Sequence, residues 1–106
     1  MTSPQPAEKK LHLLVVDDHE VVRDGIRAML ASEDDIHVTA EAGTVREAID
    51  EADRARPDVV VMDVRLADGS GIEATREIRN ALPHVRVLML TVSDEEAEGL
   101  TGFRVG

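Results

Sequence analysis

Two aspartates, Asp17 and Asp18, stand side by side directly after the apolar run "LHLLVV", and a third, Asp63, closes a second apolar run in "DVVVMD". Adjacent carboxylates repel one another unless a proton or a cation lies between them. With the hydroxyl of Thr91, which follows "VRVLML", they make an oxygen-only donor set, and that is the chemistry of a hard divalent cation. Mg²⁺ takes about six oxygens and commonly uses one or two carboxylates, leaving its other positions to water and phosphate oxygens. Each residue also has a plainer reading. Aspartate after a strand caps a helix or closes a turn, and threonine there bonds the backbone. His19 reads as a helix-start residue, since no second histidine has metal-ligand spacing to it. His12, His37 and His84 read as strand or loop surface.

These residues can share a site only if the chain brings the ends of the apolar runs together. Residues 11–16 form a short apolar run of the kind buried on both faces in a parallel sheet. Helical spacing follows over about residues 20–31, with Val22, Ile26, Met29 and Leu30 on one face. A second strand is expected over about residues 36–40. Thr44 and Glu47 then form a capping-box pattern for a helix with the apolar stripe Val45, Ala48, Ile49 and Ala52, which Pro57 breaks. The third strand is "DVVVMD". Ser70 and Glu73 repeat the capping pattern before a helix whose Ile72, Ile78 and Leu82 can face a sheet, and residues 85–90 form a fourth strand. Strands alternating with helices call for right-handed crossovers and helices on both faces, an α/β doubly wound parallel sheet. In such sheets ligands bind outside the carboxyl ends of the strands. Asp17, Asp18, Asp63 and Thr91 all stand at those ends.

Composition narrows the function. A chain of 106 residues has room for one core, and residues 1–10, "MTSPQPAEKK", read as a flexible tail before a domain over 11–106. Phe103 is the single aromatic residue, so there is no platform for stacking bases. A formal charge of -10 repels a phosphate backbone, which argues against direct contact with nucleic acid. No cysteine is present, so thiolate chemistry is excluded. The opening has no apolar segment like a secretory signal, and no stretch approaches the roughly 20 apolar residues of a membrane span. Together these fit a cytoplasmic protein.

"LLVVDDHEVVRDGIRAML", "DVVVMDVRLADGSGIEATREIR" and "VRVLMLTVSD" together resemble the receiver domain of bacterial two-component response regulators, especially the NarL/LuxR type, over about residues 11–94. The acidic pair, the strand-end Asp63 with Gly71 eight residues later, and the strand-end Thr91 occur in the order of that family. The resemblance implies a flavodoxin-like sheet of order 2-1-3-4, continuing to 5 if "GLTGFRV" forms the fifth strand. It implies that Asp63 accepts a phosphoryl group from a sensor histidine kinase, and that Asp17, Asp18 and Asp63 hold Mg²⁺ with the backbone carbonyl of Arg65. Thr91 would bond the phosphoryl oxygen. A DNA-binding output domain would belong to a longer protein.

The sequence also departs from that pattern. The family's lysine at the end of a fifth strand has no counterpart, since the only lysines are Lys9 and Lys10, and Gly106 stands at its place if "GLTGFRV" is that strand. The fourth helix is expected to be short, the fifth helix absent, and Ala67 takes the place of a common proline. Uncovered sheet invites self-association into a homodimer. Two other functions remain to be weighed. A phosphorylation-independent interaction module is favoured by the missing lysine and opposed by the intact acidic trio. An enzyme, a phosphatase of the haloacid-dehalogenase type, needs a second Asp two residues after Asp63, where Arg65 stands. The expectation is therefore not an enzyme.

Overall fold

The apolar run Leu11–Val16 forms the first strand (β1), and its last four residues are buried, as a strand covered on both faces requires. The computed structural model of the chain describes residues 10–90 and the strand Phe103–Val105. The segment 91–102, which includes Thr91 and the expected short fourth helix, lies outside the described residues, as do residues 1–9. Beside β1 lie β2 (Ile36–Ala42) on one side and β3 (Val59–Asp63) on the other, both parallel to it. Next to β3 come β4 (Arg86–Leu90) and then β5 (Phe103–Val105), giving the order β2-β1-β3-β4-β5.

Helices α1 (Glu20–Leu30), α2 (Val45–Ala55) and α3 (Gly71–Ala81) connect the parallel strands. Alternate residues of β1 divide between two cores. Leu14 and Val16 pack with Val60, Met62, Ala48, Ala52, Ala74 and Ile78 under α2 and α3. Val15 packs on the other face with Ile26 of α1 and Leu90. β1 and β3 are thus covered on both faces, while Leu88 of β4 stays 40% exposed, and each fully buried side chain such as Leu14, Met62 or Ile78 contributes about 1.5–3 kcal/mol.

Helix boundaries follow their caps. Thr44 Oγ1 accepts from Glu47 N–H at 3.0 Å, and Glu47 Oε1 reaches back to Gly43 N–H at 2.8 Å. Ser70 Oγ accepts from Ile72 N–H at 3.0 Å, one residue earlier than the capping-box pattern expects. Arg56, left-handed at φ 51°, ends α2 just before Pro57. At the amino ends of the strands, Asp58 joins three of them: its N–H donates to His12 O at 2.8 Å, its Oδ2 accepts from His12 N–H at 2.9 Å, and its carbonyl accepts from Arg86 N–H at 3.1 Å.

Three expectations are corrected. β5 pairs antiparallel with β4, Leu90 opposite Phe103 and Leu88 opposite Val105, so the sheet is parallel through four strands and reverses at the fifth. Residues 91–102 are at the lower limit of what a parallel crossover with a helix needs, and reversal is the shorter path. β5 therefore runs away from the carboxyl ends of the parallel strands; Gly106, set at the lysine position from the sequence, lies outside the described residues. Ile72 is 55% exposed: it lies about 120° around α3 from the buried Ile78, off the face that Ala74 and Ile78 press on the sheet. Met29, at the flank of the α1 seam in its last turn, is 62% exposed, while Val22, Ile26 and Leu30 make the contact.

Candidate functional site

β1 and β3 are hydrogen-bonded neighbours with Val16 opposite Met62, so the residues that follow, Asp17 and Asp63, leave the sheet side by side at its carboxyl edge. Asp17 N–H continues the ladder to Ala42 O at 3.0 Å. That bond holds Asp17 inside, 4% exposed, the one buried charged residue among the described residues. Asp18 follows on the open side. Carboxylate oxygens of Asp17, Asp18 and Asp63 and a ring nitrogen of His19 lie within 4.8 Å of one another.

The charges in this cluster are incompletely balanced. Burial, then the nearby Asp17 charge, pushes the Asp63 pKa up to about 6, with Asp18 adding to the rise. The Arg65 N–H on Asp63 Oδ1 at 3.3 Å and the His19 ring work in the opposite direction. His19 is 72% exposed, with Nδ1 at 3.1 Å from Asp17 Oδ1 and 3.0 Å from Asp18 Oδ1. The hydrogen bond to Asp17 first, then the charge of Asp18, raises its pKa above the usual imidazole value. An imidazolium on the pair and a proton on Asp63 are both answers to the same crowding of negative charge. A hard cation is a third, and the oxygen-rich donor set fits Mg²⁺.

The backbone around the cluster is pinned from several sides. Arg23 Nη1 donates to the carbonyl of Asp17 at 2.6 Å, and its Nε pairs with Glu41 Oε1 at 3.1 Å. After Asp63 the chain makes a small antiparallel hairpin, Arg65–Leu66 against Gly69–Ser70, with Leu66 buried in the larger core. Gly71 closes it by donating its N–H to Val64 O at 2.7 Å. A Cβ on Gly71 would lie 2.0 Å from Asp63 O, so only glycine lets α3 start this close to the strand end.

The sequence-derived residues are therefore partly assembled here. Asp17, Asp18 and Asp63 meet, and Arg65 sits two residues along, its N–H on Asp63. Thr91 lies outside the described residues. His19 occupies the N-cap position of α1, as its plain reading expects, yet its ring also turns onto the acidic pair. Its signal was adjacency to Asp17 and Asp18, which ligand spacing between histidines does not register. Asp68, assigned nothing from the sequence, accepts from Val45 N–H at 2.7 Å and Arg46 N–H at 3.5 Å, at the start of α2.

A doubly wound sheet with an acidic trio at the carboxyl ends of β1 and β3 defines a class, and residues 13–106 match the response regulator receiver domain family; the chain belongs to it. It is 48% identical over 85 residues to the DNA-binding transcriptional activator DevR/DosR of Mycobacterium tuberculosis, an alignment covering 78% of this chain and 39% of that protein. To the response regulator protein VraR of Staphylococcus aureus it is 43% identical over 88 residues, covering 83% of this chain and 42% of VraR. The structure of a two-component response regulator of the LuxR family from an Aurantimonas species superposes with a TM-score of 0.75 at 37% identity, covering 86% of this chain and 65% of that one. The chain thus spans about two fifths of the length of these two curated relatives. Receiver domains are phosphorylated by sensor histidine kinases and typically bind Mg²⁺ at the acidic site, and this chain carries the acidic cluster. Among the described residues no helix is long and apolar enough to cross a membrane.

Proposed function

We propose that Asp63 is the phosphoacceptor of this receiver domain, that Asp17, Asp18 and Asp63 hold Mg²⁺ with the backbone carbonyl of Arg65, and that the hydroxyl of Thr91 engages the phosphoryl oxygen. The observation that carries this reading is the convergence of the three carboxylates within 4.8 Å at the ends of two adjacent strands. Bound Mg²⁺ supplies neutralisation of charge on the phosphoryl oxygens. The chain's own residues supply position. Asp63, half-buried and anchored by Arg65 N–H, presents one carboxylate oxygen at the crevice. That oxygen attacks phosphorus, the new O–P bond forms as the N–P bond of the kinase phosphohistidine breaks, and the electron pair leaves on the imidazole, which takes up a proton. The Asp17 backbone is held by its N–H bond to Ala42 O and by the Arg23 bond to its carbonyl, and Asp18 follows it directly.

In this reading the chain is not an enzyme, because the phosphoryl group ends on its own side chain. Its partner is a sensor histidine kinase, a second copy can pair with it as a homodimer, and in a longer cytoplasmic protein it regulates transcription through an output domain that contacts DNA in its place. Incubation with acetyl phosphate and Mg²⁺ tests the acceptor: one phosphoryl mass is expected by intact-mass spectrometry, lost with EDTA and in Asp63→Asn. An unmodified mass, under conditions that label another receiver domain, rejects the acceptor assignment and leaves the phosphorylation-independent interaction module.

A further inference from the structure

Asp68 bridges parts of the fold that are remote in sequence. It sits in the hairpin that follows Asp63, yet its carboxylate lies across the first turn of α2, with Oδ1 at 2.7 Å from Val45 N and Oδ2 at 3.5 Å from Arg46 N. The first N–H groups of a helix have no partners within it, and a carboxylate there gains both hydrogen bonds and the favourable end of the helix dipole. α2 already has a cap of its own in Thr44, which serves Glu47 N–H. Asp68 therefore supplies a bond from outside the helix, and what it fixes is the hairpin as much as the helix. Gly69 is part of the same contact: a Cβ there would lie 3.2 Å from Val45 Cγ2.

The hairpin has three anchors. Leu66 is buried in the core, Gly71 N–H is bonded to Val64 O, and Asp68 is bonded to α2. The Gly71–Val64 bond closes its base, while Leu66, paired with Gly69, and Asp68 hold its turn end. Arg65, the residue whose carbonyl is assigned to Mg²⁺, lies between the Val64 bond and the turn. With Asp68 released, the base and the buried Leu66 alone orient that carbonyl.

We propose that Asp68 is a positioning residue for the acidic site, holding the Arg65 carbonyl in place by tying the hairpin turn to the amino end of α2, and that ion loading at the site is consequently felt at that end of α2. The inference rests on the Mg²⁺ assignment above. Coupling between two sites is reciprocal, so whatever fixes the hairpin must strengthen the Asp68 bonds to Val45 and Arg46 by the same factor.

The test compares three variants of the full chain. With no tryptophan or tyrosine present, MgCl₂ titrations are followed by amide NMR shifts, and hydrogen exchange is read at Val45, Arg46, Arg65 and Gly71. Asp68→Ala is expected to weaken Mg²⁺ at least fivefold and to speed exchange at Arg65 and Gly71 even without Mg²⁺. Asp68→Asn keeps an oxygen for Val45 N–H while losing the charge, and should stay within about twofold of wild type, which separates tethering from simple loss of charge. Thr44→Ala removes the helix's own cap and leaves the hairpin bond, so its Mg²⁺ affinity should also stay within about twofold although α2 is destabilised. In wild type, Mg²⁺ should slow exchange at Val45 and Arg46. Equal losses of affinity in Asp68→Ala and Thr44→Ala, or unchanged exchange at Arg65 and Gly71 in Asp68→Ala, overturn the proposal. If wild type shows no Mg²⁺ shift at Asp17, Asp18 and Asp63, the metal assignment falls and the coupling of ion loading to α2 falls with it, while the exchange data still decide the tether.

Discussion

Replacing Asp63 by asparagine should make the metal-free protein more stable, and by an amount that depends on pH. Asp63 is forced to ionise beside Asp17 and Asp18 in a half-buried position, and its pKa rises from the ordinary 3.8 to about 6. At about 1.4 kcal/mol per pKa unit, the strain on the charged form is at most about 3 kcal/mol. Water and salt reach this side chain and screen the charges, which lowers the expected value to roughly 1–2 kcal/mol. The sign follows from proton binding. Because the native pKa exceeds the unfolded one, the native state holds the extra proton, its contribution is full below about pH 4, and it is lost as pH rises through about 6. Asparagine stays neutral throughout and keeps an oxygen for Arg65 N–H. Urea unfolding followed by far-ultraviolet circular dichroism in EDTA should place the Asp63→Asn midpoint about 1 M above wild type at pH 7.5. At pH 4 the two midpoints should nearly coincide, and added NaCl should shrink the difference at pH 7.5. A variant no more stable than wild type at pH 7.5, or an equal gain at both pH values, would refute the claim that charge crowding strains this site.

Mg²⁺ at ten times its dissociation constant should stabilise wild type by about 1.4 kcal/mol, raising Tm by roughly 5–10 °C for a domain of this size; in Asp18→Ala the same Mg²⁺ concentration should produce a much smaller rise by differential scanning calorimetry. Gly71→Ala should cost about 3 kcal/mol or more in urea unfolding, since its Cβ would lie 2.0 Å from Asp63 O and relief requires moving α3 or the acceptor's own backbone. Ile72→Ser should change stability by less than about 0.5 kcal/mol, whereas Ile78→Ala should cost about 2–5 kcal/mol; equal costs would contradict the face that α3 presents to the sheet.

Strand positions and the acidic trio were legible because each rests on a local signal. "LHLLVV" and "DVVVMD" are apolar runs ending in aspartate, and adjacency of the strands in a doubly wound sheet carries their ends into one crevice. Thr44 and Glu47 marked the start of α2 for the same reason, a cap being a matter of three or four neighbouring residues. Less local features escaped. Asp68 bonds to residues 22 and 23 positions away, and nothing in "LADGSG" indicates which helix its carboxylate meets. Ile72 is apolar, but its place in the first turn of α3 decides its exposure, and an apolar tally does not weigh that angle. The direction of β5 depends on the path between β4 and β5 rather than on the composition of "FRV". His19 is set aside as a ligand on histidine spacing, a criterion that does not register its adjacency to Asp17 and Asp18.

Asp58 gives the sheet a mechanical polarity. By joining β1, β3 and β4 at their amino ends, it ties one end of three strands, while at the far end the Asp17 and Asp63 carboxylates repel one another. Clamp and charge thus act at opposite ends of the same strands. Whatever neutralises the carboxylates relieves repulsion where the chain turns into α1 and into the hairpin before α3. The Asp58 bonds, a strand length away, take no part in that change.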